Sequence, residues 1–100
     1  MDFGKAIEAL KAGKKVTRKG WNGRGMFLWL KQGTEIKAEW CHDPMLKKLA
    51  EENGGMILGL PTICMFTHDN TGRKAILTGW CASQSDMLLE DWEIINEEEK

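Results

Sequence analysis

The chain has 100 residues, a length typical of one domain, and 42% of them are apolar, which excludes an intrinsically disordered chain. Its 14 basic and 15 acidic side chains nearly balance, which argues against binding to duplex nucleic acid, since net positive charge normally supplies that affinity. No apolar run approaches the length of a membrane span, no signal peptide follows Met1, and the three cysteines form no close pair. We therefore expect a cytoplasmic protein without a membrane partner.

The first element in chain order is a helix. Asp2 can cap its start, and apolar side chains then recur at the spacing of one helix face until Gly13 ends it. Val16-Thr17-Arg18 predicts a short strand in which Val16 and Arg18 share a face. We expect the apolar stripe of the helix to pack on the sheet that this strand begins.

A glycine-rich turn follows, from Gly20 to Gly25, and Asn22-Gly23 is a strong turn signal because both residues tolerate positive φ. Met26 to Leu30 predicts an apolar strand, with Phe27 and Trp29 on one face. Residues 35–40 are expected to extend the same sheet.

The second half of the chain contains two helix signals and a hairpin. Asp43-Pro44 predicts the start of a short peripheral helix that ends at Asn53-Gly54-Gly55. Residues 62–68 and 74–78 predict a hairpin around the turn 69–72. Ser83-Gln84-Ser85-Asp86 resembles a capping box that opens a helix through Glu90, and Trp92 to Ile95 predicts a last strand. The fold class is therefore α+β: a small antiparallel sheet packed by an N-terminal helix, with short additional helices, in one domain of residues 1–100 that ends in an acidic tail at 96–100.

Neither metal binding nor catalysis has a sequence signature. Cys41, His42, Cys64 and His68 are suitable zinc ligands, but they lack a Cys-x-x-Cys knuckle. No strand–turn–helix elbow or similar motif marks a nucleophile. We expect no metal, no cofactor and no catalytic residue.

The five tryptophans, beside no tyrosine, are the unusual feature of the composition. Trp21 lies at the tight turn between Arg18 and Arg24, and Trp80 lies just before a predicted helix start. An indole face can stack on a purine base, and nearby arginines suit phosphate. These features allow a nucleotide pocket, and they equally allow all five indoles to be core and sheet packing.

Two signatures in this chain resemble those of the phage Thoeris anti-defence sponge family. The first is Phe3-Gly4-x-Ala6-x-x-x-Leu10-x-x-Gly13-Lys14-x-Val16-x-Arg18-x-Gly20-Trp21-Asn22-Gly23-x-Gly25-Met26, and the second is Trp80-x-Ala82-Ser83-Gln84-x-Asp86-Met87-Leu88-x-x-Asp91-Trp92. The resemblance implies a small α+β protein, not an enzyme, that binds and holds glycocyclic ADP-ribose linked 1″–2′ or 1″–3′. It also implies homotetramers with pockets between protomers.

The resemblance also implies which residues bind the ligand. The roles follow from side-chain chemistry: we expect Trp21, Phe27 and Trp80 to contact adenine and ribose, and Asn22, Ser83 and Asp86 to form hydrogen bonds. By the same chemistry, and not by the resemblance, Arg18 and Arg24 are candidates for the pyrophosphate, and Leu88 and Trp92 are expected to pack the core. The positions carried over are completed by Ala82, Gln84 and Met87.

The chain departs from the family's pattern at two places, and two other functions are alternatives to ligand binding and sequestration. Residues 40–59 look like a variable insertion, and Gly79 stands where the family commonly has proline. An enzyme that cleaves a cyclic nucleotide and a protein–protein interaction module are the alternative functions.

Overall fold

The computed structural model describes residues 1–21 and 25–96, which form two compact units. The main unit holds residues 1–31 together with those from Thr62 onward, and the small unit holds Gln32–Pro61. The predicted insertion at 40–59 lies within the small unit. The predicted acidic tail lies, except for Asn96, outside the described residues.

The elements follow one another in an order close to the one predicted. They are α1 (Phe3–Lys11), β1 (Lys15–Arg18), a 3-10 turn (Lys19–Trp21), β2 (Phe27–Lys31), β3 (Thr34–Lys37), a second 3-10 turn (Ala38–Trp40), α2 (Pro44–Glu52), β4 (Met56–Gly59), β5 (Thr62–His68), β6 (Lys74–Thr78), α3 (Gln84–Leu88) and β7 (Trp92–Ile95). One N-terminal helix, antiparallel sheets and short helices confirm the predicted α+β class.

Helix α1 begins as the sequence predicts, because the Asp2 side chain accepts a hydrogen bond from the Lys5 N–H at 2.8 Å. Its apolar stripe supplies much of the core of the main unit. The buried members of that core are Ala6, Ala9, Leu10, Val16, Leu28 and Trp92. Burial of this stripe against the sheet, rather than helix propensity alone, is what stabilises such a short helix.

The sheet of the main unit has five antiparallel strands in the order β6-β5-β2-β1-β7. Val16 lies opposite both Leu28 and Ile94, and Arg18 lies opposite Trp92. Opposed residues share a face, so Val16, Leu28, Arg18 and Trp92 all lie on the face that packs against α1. Phe27 and Trp29 lie on the other face, as predicted.

The small unit corrects one prediction. Residues 35–40 do not extend the main sheet. Strand β3 instead pairs with β4 in a separate two-stranded sheet, and a 3-10 turn begins at Ala38. The cause is β4, a strand that the sequence analysis missed and that supplies β3 with a local partner. In contrast, the predicted peripheral helix is confirmed, with the Asp43 side chain accepting from the Met45 and Leu46 N–H groups.

The end of the main unit confirms the predicted hairpin and last strand, with His68 paired to Lys74 and β7 at 92–95. Helix α3 ends at Leu88 rather than Glu90. The expectation that Leu88 packs the core is wrong, because this side chain is 72% exposed. The same expectation for Trp92 is confirmed, because Trp92 is only 2% exposed.

Candidate ligand-binding site

Three of the five tryptophans form one cluster in the main unit. The ring centroids of Trp21, Trp80 and Trp92 lie 5.5 to 6.4 Å apart, and all three pairs are edge-to-face. This geometry places the positive edge of one indole against the negative face of the next. Trp92 is the buried member, whereas Trp21 and Trp80 are half-buried, so part of each of these two rings remains accessible.

Two backbone features position Trp80 at the end of β6. Its N–H donates to the Ile63 carbonyl at 2.8 Å, which continues the pairing with β5 past the last strand residue. The preceding Gly79 has φ +76°, a left-handed conformation that proline cannot adopt, because its ring fixes φ near −65°. Glycine in place of the family's common proline therefore matches the backbone of this chain.

The capping box predicted at 83–86 is present. The Asp86 N–H donates to Ser83 Oγ at 3.1 Å, and the Ser83 N–H donates to Asp86 Oδ2 at 2.8 Å. These reciprocal bonds satisfy two backbone donors at the start of α3. They fix the conformation of the turn that follows Trp80.

Arg18 joins this turn to the other tryptophan segment. Its Nη1 donates to Asp86 Oδ1 at 2.7 Å, and its Nε donates to Asp91 Oδ1 at 2.8 Å. Arg18 is 8% exposed and Asp86 is 7% exposed. We call these three residues the Arg18 clamp.

The charges of the Arg18 clamp are mutually stabilised. Hydrogen bonding to Asp91, opposed by burial and reinforced by Asp86, raises the pKa of Arg18. The Arg18 guanidinium lowers the pKa of Asp91. Burial acts to raise the pKa of Asp86, but the Ser83 N–H and Arg18 outweigh it and the net pKa is lowered. All three groups are therefore ionised at neutral pH.

The predicted site residues are brought together only in part. Trp21 and Trp80 are adjacent, and the exposed Ser83, Gln84 and Met87 follow Trp80 around the capped turn, with half-buried Ala82 between. Asn22 and Arg24 lie outside the described residues. Arg18 and Asp86 bind each other, which is a different role from the ligand contacts expected of them from the sequence.

Phe27 is not beside the tryptophan cluster. It lies on the sheet face opposite α1, where its ring stacks on Phe66 at 5.2 Å between centroids and Lys15 Nζ lies 4.2 Å above it. Trp21 and Trp80 pack against the core on the α1 side. The Phe27 ring and the tryptophan cluster of one chain therefore lie on opposite faces of the sheet.

Asp91 and Gly20 are site residues that the sequence analysis missed. The Gly20 N–H donates to Asp91 Oδ2 at 3.0 Å. The two family signatures could have pointed to these residues, because Arg18 and Gly20 belong to the first signature and Asp91 belongs to the second. Pairing them required knowing that β1 lies beside β7, because the residues are 73 and 71 positions apart.

The other features of the described residues add little to this site. The small unit has a shallow cavity of about 300 Å³ between Glu35, Asn53, Gly54 and the β4 residues Met56 to Leu58, and it includes none of the predicted ligand-binding residues. Within residues 1–21 and 25–96, no three His, Cys, Asp or Glu side chains are grouped so that they could hold a metal ion. None of the helices in these same residues combines the length and apolar character that a membrane crossing requires.

The fold and the site define a small α+β protein in which two tryptophan segments are held side by side by a buried arginine–carboxylate network. The family profile described as the Thoeris anti-defense 2-like domain matches residues 1–95. The chain is also 33% identical over 103 residues, covering 96% of both chains, to "Thoeris anti-defense 2" of Bacillus phage SP01. The chain therefore belongs to the Thoeris anti-defense 2-like family, and this membership supports a phage anti-Thoeris function.

Proposed function

We propose that the protein binds and sequesters a cyclic ADP-ribose-type signal, glycocyclic ADP-ribose linked 1″–2′ or 1″–3′, and returns it uncleaved. Sequestration lowers the free concentration of the signal by mass action, so that the Thoeris effector in the host cytoplasm is not activated. Such a protein requires affinity and stoichiometry rather than a nucleophile or base.

The observation that carries the proposal is the half-buried pair Trp21 and Trp80, 6.4 Å apart, with the capped Ser83 turn following directly on Trp80. Their accessible ring surface suits an adenine, since stacking on an aromatic side chain contributes about 1–3 kcal/mol per base. The exposed Ser83 and Gln84 side chains suit the ribose hydroxyls as hydrogen-bond partners.

The pyrophosphate calls for a cation with accessible donors. Arg18 is nearly buried and engaged by two carboxylates, so we assign it to holding the site rather than to direct phosphate contact. Arg24 remains the candidate named from the sequence. Lys19 is a second candidate, because it directly precedes Gly20-Trp21 and its side chain is mostly exposed, with a long 3.6 Å contact to Glu93.

The position of Phe27 supports a site shared between copies of the chain. Phe27 lies on the sheet face opposite the tryptophan cluster. A neighbouring protomer could bring its Phe27 to the ligand that Trp21 and Trp80 of the first protomer hold. We therefore propose a homo-oligomer, a tetramer by family resemblance, with ligand pockets between protomers.

A thermal-shift screen tests this function. The wild type is incubated with 1″–2′ and 1″–3′ glycocyclic ADP-ribose, cyclic ADP-ribose and cyclic dinucleotides. At about 100 times Kd, bound ligand stabilises the folded state by about 2.7 kcal/mol, which raises the Tm of a domain this size by on the order of 10 °C.

Two tryptophan variants make the screen specific. Trp80→Ala should lose most of the ligand-induced shift. Trp40→Ala is the matched control, since Trp40 is 59% exposed and belongs to the small unit, and it should keep the full shift. If no glycocyclic ADP-ribose shifts the wild type, or if Trp80→Ala responds like the wild type, the proposal is wrong.

A further inference from the structure

Asp91 accepts several hydrogen bonds from the segment that leads into Trp21. Arg18 donates to the Asp91 carboxylate from Nε at 2.8 Å and from Nη2 at 3.3 Å, and the Gly20 N–H donates to the same carboxylate at 3.0 Å. Between them, the Lys19 N–H donates to the Asp91 backbone carbonyl at 3.1 Å. Asp91 thus receives hydrogen bonds from three consecutive residues immediately before Trp21.

The same network reaches the turn after Trp80. Arg18 bridges Asp91 to Asp86, and Asp86 forms the capping box with Ser83. The Asp86 backbone carbonyl in turn accepts from the Trp92 indole N–H at 2.9 Å. The two tryptophan segments and the indole between them are therefore parts of one connected hydrogen-bond network.

The packing around Gly20 shows how closely the backbone approaches this network. A Cβ added at Gly20 would lie 3.0 Å from Asp91 Oδ2 and 3.1 Å from Arg18 Nη2. These contacts are tighter than ordinary van der Waals separations, so a side chain here would displace the carboxylate or the guanidinium. A backbone held this close to a charged pair has little freedom to move.

An ion pair of this kind contributes more to geometry than to net stability. The free-energy cost of removing two charges from water offsets much of their mutual attraction. Apolar residues of similar volume therefore often stabilise a fold equally well. What an apolar residue at position 91 cannot supply is a side-chain acceptor for the Arg18 guanidinium and the Gly20 N–H. The Lys19 N–H, in contrast, donates to the backbone carbonyl of Asp91, which any residue there would provide.

We propose that Asp91 is a positioning residue of the ligand site: through Arg18, Lys19 and Gly20 it fixes the Trp21 ring at its edge-to-face angle to Trp80. This inference deepens the proposed function and rests on it, because it assigns part of the ligand affinity to a residue that acts by positioning Trp21. Its geometric part concerns the unliganded protein and can be tested alone.

The central variant is Asp91→Asn. The amide keeps the shape of the carboxylate but places an N–H₂ donor at one of the two acceptor positions. At the Oδ1 position it faces Arg18 Nε, and at the Oδ2 position it faces both Arg18 Nη2 and the Gly20 N–H, so at least one contact becomes repulsive. Asp69→Asn is the matched control, because Asp69 also accepts from backbone N–H groups, of Thr71 at 2.8 Å and Arg73 at 3.0 Å, and pairs with an arginine, but in the β5–β6 turn.

Two readouts are taken on each variant at a temperature where it is fully folded. The first is the far-ultraviolet exciton band of coupled indoles, which reports the mutual geometry of Trp21, Trp80 and Trp92 without ligand. The second is the Kd for 1″–3′ and 1″–2′ glycocyclic ADP-ribose by titration calorimetry. Asp91→Asn should weaken the exciton band and raise the Kd by about tenfold, whereas Asp69→Asn should change neither.

If Asp91→Asn keeps the wild-type exciton band and Kd, the positioning role is wrong. If Asp91→Asn does not fold, Gly20→Ala replaces it, since the added methyl disturbs the same contacts sterically and should give the same two changes. If the wild type binds neither isomer, the proposed function fails, while the exciton band still decides whether Asp91 positions Trp21.

Discussion

Replacing the buried Trp92 by phenylalanine tests how the tryptophan cluster is held together. The indole N–H satisfies the Asp86 carbonyl at 2.9 Å, which lies in the last turn of α3, where carbonyls lack partners within the helix. A phenyl ring has no donor, and leaving a buried acceptor unsatisfied costs about 1–3 kcal/mol. The loss of about three buried heavy atoms adds about 2 kcal/mol at roughly 0.8 kcal/mol per methylene equivalent.

The expected loss for Trp92→Phe is therefore about 3–5 kcal/mol, a large share of the roughly 5–15 kcal/mol by which domains of this size are stable. Urea unfolding followed by far-ultraviolet circular dichroism at fixed protomer concentration measures it, since oligomerisation makes stability concentration-dependent. Trp40→Phe is the control, and this exposed site should change by less than about 0.5 kcal/mol. If Trp92→Phe falls within that same range, the cluster is not organised around Trp92.

Two further predictions concern the backbone before Trp80 and the charges of the clamp. Gly79→Ala should destabilise the fold by about 1–2 kcal/mol, because φ +76° is left-handed while the nearest atom to the new methyl, Thr62 Oγ1, is an ordinary 3.9 Å away. Gly4→Ala in α1 meets only Asp2 Oδ1 at 3.5 Å and should be neutral or stabilising by up to about 1 kcal/mol; equal urea midpoints for the two variants would contradict this reasoning. The stability should also depend on pH, because folding lowers the pKa values of Asp69, Asp86 and Asp91. The stabilisation of the fold by these carboxylates is complete above the unfolded aspartate pKa of about 3.9, and it is lost as the pH falls through the lower folded-state pKa values. The urea midpoint should therefore fall as the pH drops below about 4, and Asp86→Asn should fall less steeply than the wild type; a midpoint that stays constant on acidification would show that these carboxylates are not paired in solution.

Local signals predicted the helix starts in both units and the faces of strand β2. Asp2, Asp43 and the Ser83–Asp86 pair each satisfy backbone N–H groups at the first turn of a helix, and such caps depend on residues only two or three positions apart. The alternation of Phe27 and Trp29 with Leu28 likewise gives the two faces of β2 directly. These features are readable because both partners lie in one short window of sequence.

The pairing of strands that lie far apart in the sequence, or that lack a clear pattern, could not be predicted in the same way. Strand β4 follows two glycines and is only four residues long, so its pairing with β3, and the resulting separate sheet, had no periodic signal of useful length. Arg18 was assigned to a ligand phosphate because exposed arginines near a glycine-rich turn suit anions. Its partners, Asp86 and Asp91, become visible only when β7 is placed beside β1.

The sequence singled out the two tryptophans that the structure brings together, but it did not reveal the Arg18 clamp that supports them. Trp21 and Trp80 were named from two separate signatures, and the structure places their rings in contact. Phe27, named from the same resemblance, lies on the other face of the sheet. A single chain therefore explains the pairing of the tryptophans, and the proposed partner protomer would supply Phe27.

Recovery of the ligand after binding tests the central claim most directly. The protein, at a protomer concentration above that of 1″–3′ or 1″–2′ glycocyclic ADP-ribose, is incubated to equilibrium, separated from free nucleotide by filtration, heat-denatured, and the released nucleotide is identified by mass spectrometry and chromatographic retention. We expect the ligand to be depleted from the filtrate and then recovered intact in full from the denatured protein. Nucleotide left free in the filtrate, or recovered as ADP-ribose or another cleavage product, would contradict sequestration.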